Sequence, residues 1–192
     1  MKKLFIAFLS LLPLLTFGQI IDELPKSENG KLYYSEVTQV DSVTQTQLYL
    51  NSKLFFVDAF KSAQDVIQID DKEKGIIVGK AFVDISSKML GTSYPVKMWV
   101  TIKIQSKDGR YKYEIYDFYY ENYPPNYVLP DGSAKSQTAE DVFNRNNYYK
   151  NNGQPKKSSL NFKTQTVEKI ELIKSMIIKS MNSKSTSSKD NW

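Results

Sequence analysis

Residues 97–123, KMWVTIKIQSKDGRYKYEIYDFYYENY, decide the fold, because they predict a β-hairpin that turns at Asp108-Gly109. Asp-Gly is a preferred pair for a tight type I′ turn, and such a turn sets the register of the two strands that it joins. Side chains then alternate between two faces along each strand. One predicted face is apolar and pairs Ile104 with Tyr113, Ile102 with Ile115, and Met98 with Tyr119.

The opposite face of this hairpin is polar near the turn and aromatic farther from it. It pairs Lys103 with Glu114, Thr101 with Tyr116, and Trp99 with Phe118. Exposed contiguous apolar area tends to mark an interaction site. The predicted binding residues are therefore Trp99, Thr101, Tyr116 and Phe118.

A covered arrangement of the same face is the alternative. In it, residues 127–129 together with Val142 and Phe143 fold across the aromatic side chains and bury them. Burying a large aromatic side chain contributes about 2 to 3 kcal/mol, which favours this covered arrangement. Association of two copies through the face is a third, weaker possibility.

Further helices and strands are predicted on both sides of the hairpin. Residues 30–40 predict a strand, and residues 44–60 predict an amphipathic helix capped by Thr44. Residues 65–85 predict a second hairpin around the charged turn DDKEKG. An apolar stripe predicts a last helix that begins at Thr164 or Thr166. The order β-α-β-β-β-β-α predicts an α+β fold with a single antiparallel sheet, two helices on one face and the other face open.

Two details of these elements carry expectations about packing. Leu50, Leu54 and Val57 lie on the far side of the first helix, so the last helix is expected to cover them. Gly79 interrupts a predicted strand, which indicates a β-bulge or, with less weight, a close backbone approach.

The beginning of the chain predicts export. Lys2 and Lys3 precede an apolar run, and the small Gly18 follows it, which is typical of a signal peptide over residues 1–18. A membrane anchor is the alternative, but spanning takes about 20 apolar residues, and this run is shorter and contains Pro13. The chain has no cysteine and so no lipid-attachment site. The mature protein is predicted to be periplasmic or secreted, with no transmembrane anchor after cleavage.

The mature chain is predicted to form one domain over residues 19–182. Residues 122–163 are rich in Asn, Pro, Gly, Ser and Lys and predict a polar insert with one short helix, capped by Ser136 or Thr138. Residues 183–192 predict a disordered tail.

Composition excludes several chemistries. Without Lys2 and Lys3, 24 basic residues stand against 21 acidic ones, a net charge of +3 with the two signs interspersed, so nucleic-acid binding is not predicted. The chain has no histidine and no cysteine, which removes the usual general base, the thiolate nucleophile and the nitrogen and sulfur metal ligands. No cofactor, metal site or catalytic residue is predicted.

Carboxylates alone leave a second hypothesis open, a hydrolase that acts on a glycan or another cell-envelope substrate. Its candidate residues are Asp70, Asp71, Asp84 and Asp117. Asp117 is unusual, because it falls on the apolar face of the hairpin opposite Val100. A bulge or an edge position would return its side chain to water.

Three segments in fixed order carry a family resemblance: GKLYYSEV, LYLNSKLFFVDAF and DVIQIDDKEKGIIVGKA. They resemble an exported family of the Bacteroidota, a domain of unknown function with a TATA-binding-protein-like fold. The resemblance covers roughly residues 28–120 and the final helix. It implies one curved sheet backed by two helices, and it implies no known catalytic residue.

The leading functional hypothesis is an exported, non-enzymatic interaction module. It would bind an unidentified protein, peptide or glycan through the open sheet face and the insert, as a monomer or a weak homo-oligomer.

Overall fold

The computed structural model describes residues 24–60, 62–89, 91–124, 130, 132 and 135–183. The predicted signal peptide, residues 127–129 and nearly all of the predicted tail lie outside the described residues. The elements in chain order are β1 (Tyr34–Gln39), α1 (Gln45–Ala59), α2 (Ala63–Val66), β2 (Ile67–Asp71), β3 (Ile76–Met89), β4 (Thr92–Lys107), β5 (Arg110–Glu121), β6 (Ser136–Thr138), α3 (Ala139–Val142), α4 (Arg145–Tyr148) and α5 (Lys157–Met181).

The strands form one antiparallel sheet in the order β1-β5-β4-β3-β2, and β6 pairs with the far end of β5. The two long helices, α1 and α5, pack against the same face, here called the inner face. The opposite side is the outer face. The predicted α+β class, with one antiparallel sheet and two helices on one side of it, is confirmed.

The central hairpin of β4 and β5 supplies the middle of the core. Ile102 pairs with Ile115 and Ile104 with Tyr113, as predicted from the turn. These side chains face inwards and are buried beneath the helices. Alternation counted from an Asp-Gly turn therefore places the first half of each strand correctly.

A β-bulge at Asp117 shifts the rest of this hairpin by one residue. The predicted register holds as far as Thr101, which pairs with Tyr116, and then changes before Trp99. Asp117 is the extra residue: its φ is 54°, in the left-handed region, and its side chain is exposed. The expectation that a bulge returns Asp117 to water is confirmed.

The bulge reverses the predicted orientation of the side chains that follow it. Trp99 pairs with Tyr119 rather than with Phe118, and Met98 pairs with Tyr120. Phe118 faces inwards with 3% of its surface exposed and lies 6.1 Å from the Tyr34 ring. The prediction that Phe118 lies on the outer face is wrong, and Tyr119 takes that place.

Helix α1 begins as predicted but leaves one side bare. The Thr44 side chain accepts a hydrogen bond from the Gln47 N–H at 3.2 Å and caps the helix. Leu50, Leu54 and Val57 remain 45%, 50% and 57% exposed, so the prediction that the last helix covers them is wrong. The reason is geometric, since α5 lies beside α1 in the same layer rather than above it.

Gly79 of β3 allows α1 to approach the sheet closely. A Cβ at this position would lie 2.3 Å from Cε1 of Phe56, which is itself fully buried. The bulge that was predicted here belongs to the neighbouring strand, where the β2 register shifts between Ile67 and Ile69 opposite Gly79. The prediction of a bulge at Gly79 itself is therefore wrong, and the close approach at this residue is that of the Phe56 ring, which leaves no room for a side chain.

Helix α5 is longer than predicted. It begins at Lys157, and the hydroxyls of Thr164 and Thr166 bond back to the Leu160 and Phe162 carbonyls at 3.0 Å within the helix. The predicted helix start at one of these threonines is wrong, since both are interior residues. Among the described helices, none combines the length and the apolar run needed to cross a bilayer.

Gln165 of α5 closes part of the free edge of β3. Its Oε1 accepts from the Ser86 N–H and hydroxyl at 3.0 Å each, and its Nε2 donates to the Ser86 carbonyl at 2.9 Å. A carboxamide carries the same donor and acceptor as a peptide unit. Gln165 therefore stands in for a neighbouring strand at this point of the edge.

Replacing Gln165 with leucine is expected to lower the free energy of unfolding by about 1 to 2 kcal/mol, because the Ser86 N–H and C=O lose their partner. The uncovered edge is also expected to raise self-association. Urea denaturation and sedimentation at several concentrations measure the two effects. Glu168→Leu, exposed on the same helix, is the control. Equal behaviour of the two variants would contradict the role given to Gln165.

Candidate binding face of the sheet

An aromatic row crosses three strands of the outer face: Phe82 of β3, Trp99 of β4 and Tyr119 of β5. The strand register places these residues side by side. The Phe82 and Trp99 ring centroids lie 5.0 Å apart, and the Trp99 and Tyr119 rings are stacked at 5.8 Å with 3° between their planes. Phe82 is 40% exposed, and the other two side chains are half-buried.

Charged side chains hold the aromatic row in place. Glu121 accepts a hydrogen bond from the Trp99 indole N–H at 2.7 Å and forms an ion pair with Lys97 at 3.2 Å. The Lys97 ammonium lies 5.1 Å from the centre of the Phe82 ring, and Lys80 lies 5.1 Å from that of Tyr119. Cations at this distance from an aromatic face are attracted to it. The row is thus an oriented, amphipathic surface.

The structure brings three of the four predicted binding residues to the outer face. Trp99 is in the aromatic row, Thr101 is nearly buried beside it, and Tyr116 contacts the Tyr33 ring at 6.4 Å. Phe118 lies in the core instead. Whether the three residues bind a partner stays a prediction.

Sequence reasoning missed Phe82 and Tyr119. Phe82 alternates with Lys80 and Asp84 along β3, so a predicted register between β3 and β4 would have placed it beside Trp99. Tyr119 required knowledge of the bulge at Asp117.

The described part of the insert does not cover the aromatic row. β6 extends the sheet beside Tyr119, while Val142 and Phe143 join the helical layer on the inner face. The Phe143 ring lies 6.0 Å from Tyr120 and 6.3 Å from Phe162. The prediction that Val142 and Phe143 cover the outer aromatic side chains is therefore wrong, and residues 127–129 lie outside the described part.

The other half of the outer face centres on Glu114. Its carboxylate accepts from Lys112 at 2.8 Å, from Lys103 at 2.9 Å and from the Tyr33 hydroxyl. Burial tends to raise the pKa of this carboxyl, but the hydrogen bonds from the three donors outweigh it and lower the pKa to about 2. Glu114 therefore stays ionised and links β5 to β4 and to the segment before β1.

Glu114→Gln is expected to lower the free energy of unfolding by about 1 to 2 kcal/mol at pH 7. In an unfolded chain this carboxyl has a pKa of about 4.3, so its stabilising effect is complete above about pH 5 and is lost as the pH falls towards 2. The gap between wild type and variant should close over that range in urea denaturation.

The control for Glu114 is Glu171→Gln, which removes the ion pair between Lys174 and a carboxylate that is 55% exposed. It is expected to change stability by less than about 0.5 kcal/mol at any pH. A gap between wild type and the Glu114 variant that is the same at pH 7 and pH 3 would contradict the ionic role of Glu114.

The aspartates of the hydrolase hypothesis lie on three strands, with Asp70 and Asp71 on β2, Asp84 on β3 and Asp117 on β5. Asp70 accepts from the Tyr49 hydroxyl and pairs with Lys53 at 2.7 Å, and Asp71 pairs with Lys74 at 3.1 Å.

Asp84 and Asp117 are exposed on β3 and β5, with β4 between them, and they line different cavities. Neither of these two cavities is lined by a second one of the four aspartates, so neither brings an acid and base pair together.

A cavity of about 430 Å³ opens where the aromatic row meets the free edge of β3. We call it the edge cavity. Its sheet side is formed by Lys80, Ala81, Phe82, Asp84 and Trp99, and its helix side by Ala59, Phe60, Ser62, Asp65 and Val66.

Residues 34–121 match the family model described as a domain of unknown function (DUF4468) with TBP-like fold. A DUF4468 family protein from Bacteroides ovatus is 16% identical, with 85% of this chain and 92% of that chain covered and a TM-score of 0.63. A TBP-like protein from Parabacteroides distasonis is 20% identical, with 84% and 100% covered and a TM-score of 0.64. No curated protein matches the chain. These likenesses confirm the predicted family resemblance and fold.

Proposed function

We propose that this chain, whose residues 34–121 match the model of the DUF4468 family of domains with a TBP-like fold, is an exported, non-enzymatic module that binds a partner through the outer face of its sheet. The aromatic row carries this proposal. Rigid aromatic side chains supply much contact area at a low entropic cost, and they dominate the energetics of many interfaces.

The surroundings of the row support a docking role. Phe82, Trp99 and Tyr119 are contiguous across three strands, and Phe82 is 40% exposed. Lys80, Lys97 and Glu121 surround them, which gives an apolar centre and a charged rim. Such an arrangement is typical of an interface patch.

Export rests on the sequence of residues 1–18, with its lysine pair and apolar run. Because an exported protein meets its partners outside the cytoplasm, we expect a periplasmic or extracellular partner. The separation of Asp84 from Asp117, the lysine partners of Asp70 and Asp71, and the absence of histidine and cysteine from the sequence favour binding over catalysis.

Replacing Phe82 and Tyr119 together with serine is expected to reduce partner capture about tenfold, because two members of the row are lost. Capture from an envelope extract of the source bacterium measures the effect, and urea denaturation checks that the variant is folded. Phe118 is unsuitable for this purpose, because it is a core residue.

The matched control replaces Leu54 and Leu172 with serine. These residues are 50% and 52% exposed, and they lie on α1 and α5, away from the outer face. Equal capture of the same partners by both double variants would overturn the proposed role of the outer face.

A further inference from the structure

We propose that the free edge of β3 binds an extended peptide, which adds one short antiparallel strand next to β3 and places an apolar side chain in the edge cavity. The inference rests on the proposed function, since Phe82 and Trp99 belong to both surfaces, and it deepens that function by naming the class of partner.

Part of β3 has no neighbouring strand on the side opposite β4, and we call this part the window. The Ser106 N–H donates to the Gly75 carbonyl at 2.8 Å, so odd-numbered residues of β3 bond to β4 and even-numbered residues point away from it. Ser86 agrees with this alternation, because Gln165 bonds its N–H and C=O from the side opposite β4.

The window lies at Phe82 and Asp84. Pairing with β2 ends at Gly79, and Gln165 closes the edge at Ser86. Between these limits no described residue bonds the N–H or C=O of Phe82 or Asp84. Four backbone groups thus point into the edge cavity, and the natural partner for alternating donors and acceptors is another extended backbone.

The edge cavity has an apolar pocket beside this window. On the inner side of the edge it is lined by Ala59, Phe60, Val66 and Ala81. A residue that pairs opposite Ala81 would direct its side chain to that side, because facing residues of adjacent strands point to the same face. An aliphatic side chain suits this position.

Charge defines the peptide further. Lys80 and Asp84 lie on the outer face two residues before and after Phe82. In an antiparallel peptide, the residue two before the one facing Phe82 lies opposite Asp84, and the residue two after it lies opposite Lys80. A peptide is therefore complementary to this edge if it has a basic residue opposite Asp84, an apolar residue opposite Phe82 and an acidic residue opposite Lys80. One further residue separates each of these from the next.

A second copy of this chain does not fit the same window. Two β3 strands that paired antiparallel about Phe82 would set residue 78 of one copy opposite Ser86 of the other. Each β2 strand, which pairs with residues 76–79 of its own β3, would then occupy the place of the other β3 strand. A separate peptide segment avoids this clash.

The test uses the wild-type protein, labelled with ¹⁵N, and the blocked hexapeptide Thr-Lys-Val-Phe-Val-Glu, which ends opposite Lys80 and so stops before Gly79, where β2 pairs with β3. The amide signals of Phe82 and Asp84 are expected to move downfield and to exchange more slowly when the peptide is added, whereas the Ser86 amide keeps its position. No shift at millimolar peptide would overturn the inference.

N-methylation of the peptide separates edge pairing from contact with the aromatic row. Methylation of the Phe nitrogen removes the N–H that faces β3 and is expected to weaken binding about tenfold. Methylation of the following Val nitrogen, which faces away from β3, is the control and should leave affinity within about twofold. Equal effects of the two methyl groups would overturn the edge site.

Two more comparisons complete the test. A peptide with Gln in place of both charged residues is expected to bind several-fold more weakly at low salt, and equal affinity would overturn the assigned charge pattern. Binding that is lost in Trp99→Ser but is insensitive to N-methylation would overturn the edge inference and leave the proposed function standing. A dimer in sedimentation, with the Phe82 and Asp84 amides already protected, would overturn the inference in favour of a second copy.

Discussion

Deleting Phe118 is expected to abolish folding, whereas deleting Asp117 is expected to leave a folded protein. Each deletion shortens β5 by one residue and removes the bulge, so the two variants have the same strand length and the same register beyond Thr101. They differ in one side chain only. Without Asp117, Phe118 still faces the core opposite Val100; without Phe118, the Asp117 carboxylate takes that buried place.

The expected difference in the free energy of unfolding between the two deletion variants is larger than the usual effect of a point substitution. Losing a buried aromatic side chain costs about 2 to 3 kcal/mol. Burying a carboxylate without a partner adds several kcal/mol. The sum is comparable with the whole stability of a domain, which is about 5 to 15 kcal/mol. Deleting Asp117 removes a residue at φ 54° and should change stability by less than about 2 kcal/mol.

Circular dichroism and urea denaturation of both variants measure the difference. Asp117→Gly is the control, because it keeps the bulge and relieves the left-handed backbone; it should be at least as stable as wild type. Equal stability of the two deletion variants would show that Phe118 does not need its inward position.

The sheet and its helices could be predicted because local signals agree with the global arrangement. Asp108-Gly109 determines the register near the turn, and Thr44 marks the start of α1. Both act within a few residues, so they can be recognised in the sequence alone.

The outer face could be predicted only as far as Thr101. An extra residue in a strand reverses every later side chain, and the energy that selects the bulge comes from the core, where Phe118 is preferred to Asp117. Asp117 on an apolar face indicated the bulge, but its effect on Phe118 and Tyr119 depends on packing across the sheet.

The start of α5 and the edge cavity depend on tertiary contacts. Lys156 provides no side-chain cap for the helix, and its first turns are held by contacts such as Phe162 stacked on Tyr123 at 4.5 Å. The cavity exists because β2 stops pairing at Gly79 while β3 continues. Neither the place where a strand loses its neighbour nor the position of a distant helix is encoded in a short window of sequence.

Gly79→Val is expected to lower the free energy of unfolding by about 3 kcal/mol, the upper range for overpacking a core. Valine is a favourable strand residue, so intrinsic propensity cannot cause the loss. The cause is the Phe56 ring, 2.3 Å from the added Cβ and enclosed by Phe55 and Phe60. The ring cannot move without displacing α1.

A double-mutant cycle with Phe56→Leu tests this cause. The smaller side chain leaves room above residue 79, so the double variant should be more stable than the sum of the single effects predicts, by about 1 to 2 kcal/mol. Urea denaturation of the four proteins gives the coupling. Additive effects would show that valine acts elsewhere than at Phe56.

The same contact links the core to the edge cavity. Phe56 lies one helical turn before Phe60, and Phe60 and Ala59 form the helix side of that cavity. If α1 moves away from β3 in Gly79→Val, the cavity widens, and the hexapeptide should bind that variant more weakly than it binds the double variant. Equal affinity for the two proteins would mean that the cavity is held open independently of Gly79, by α2 and β2 alone.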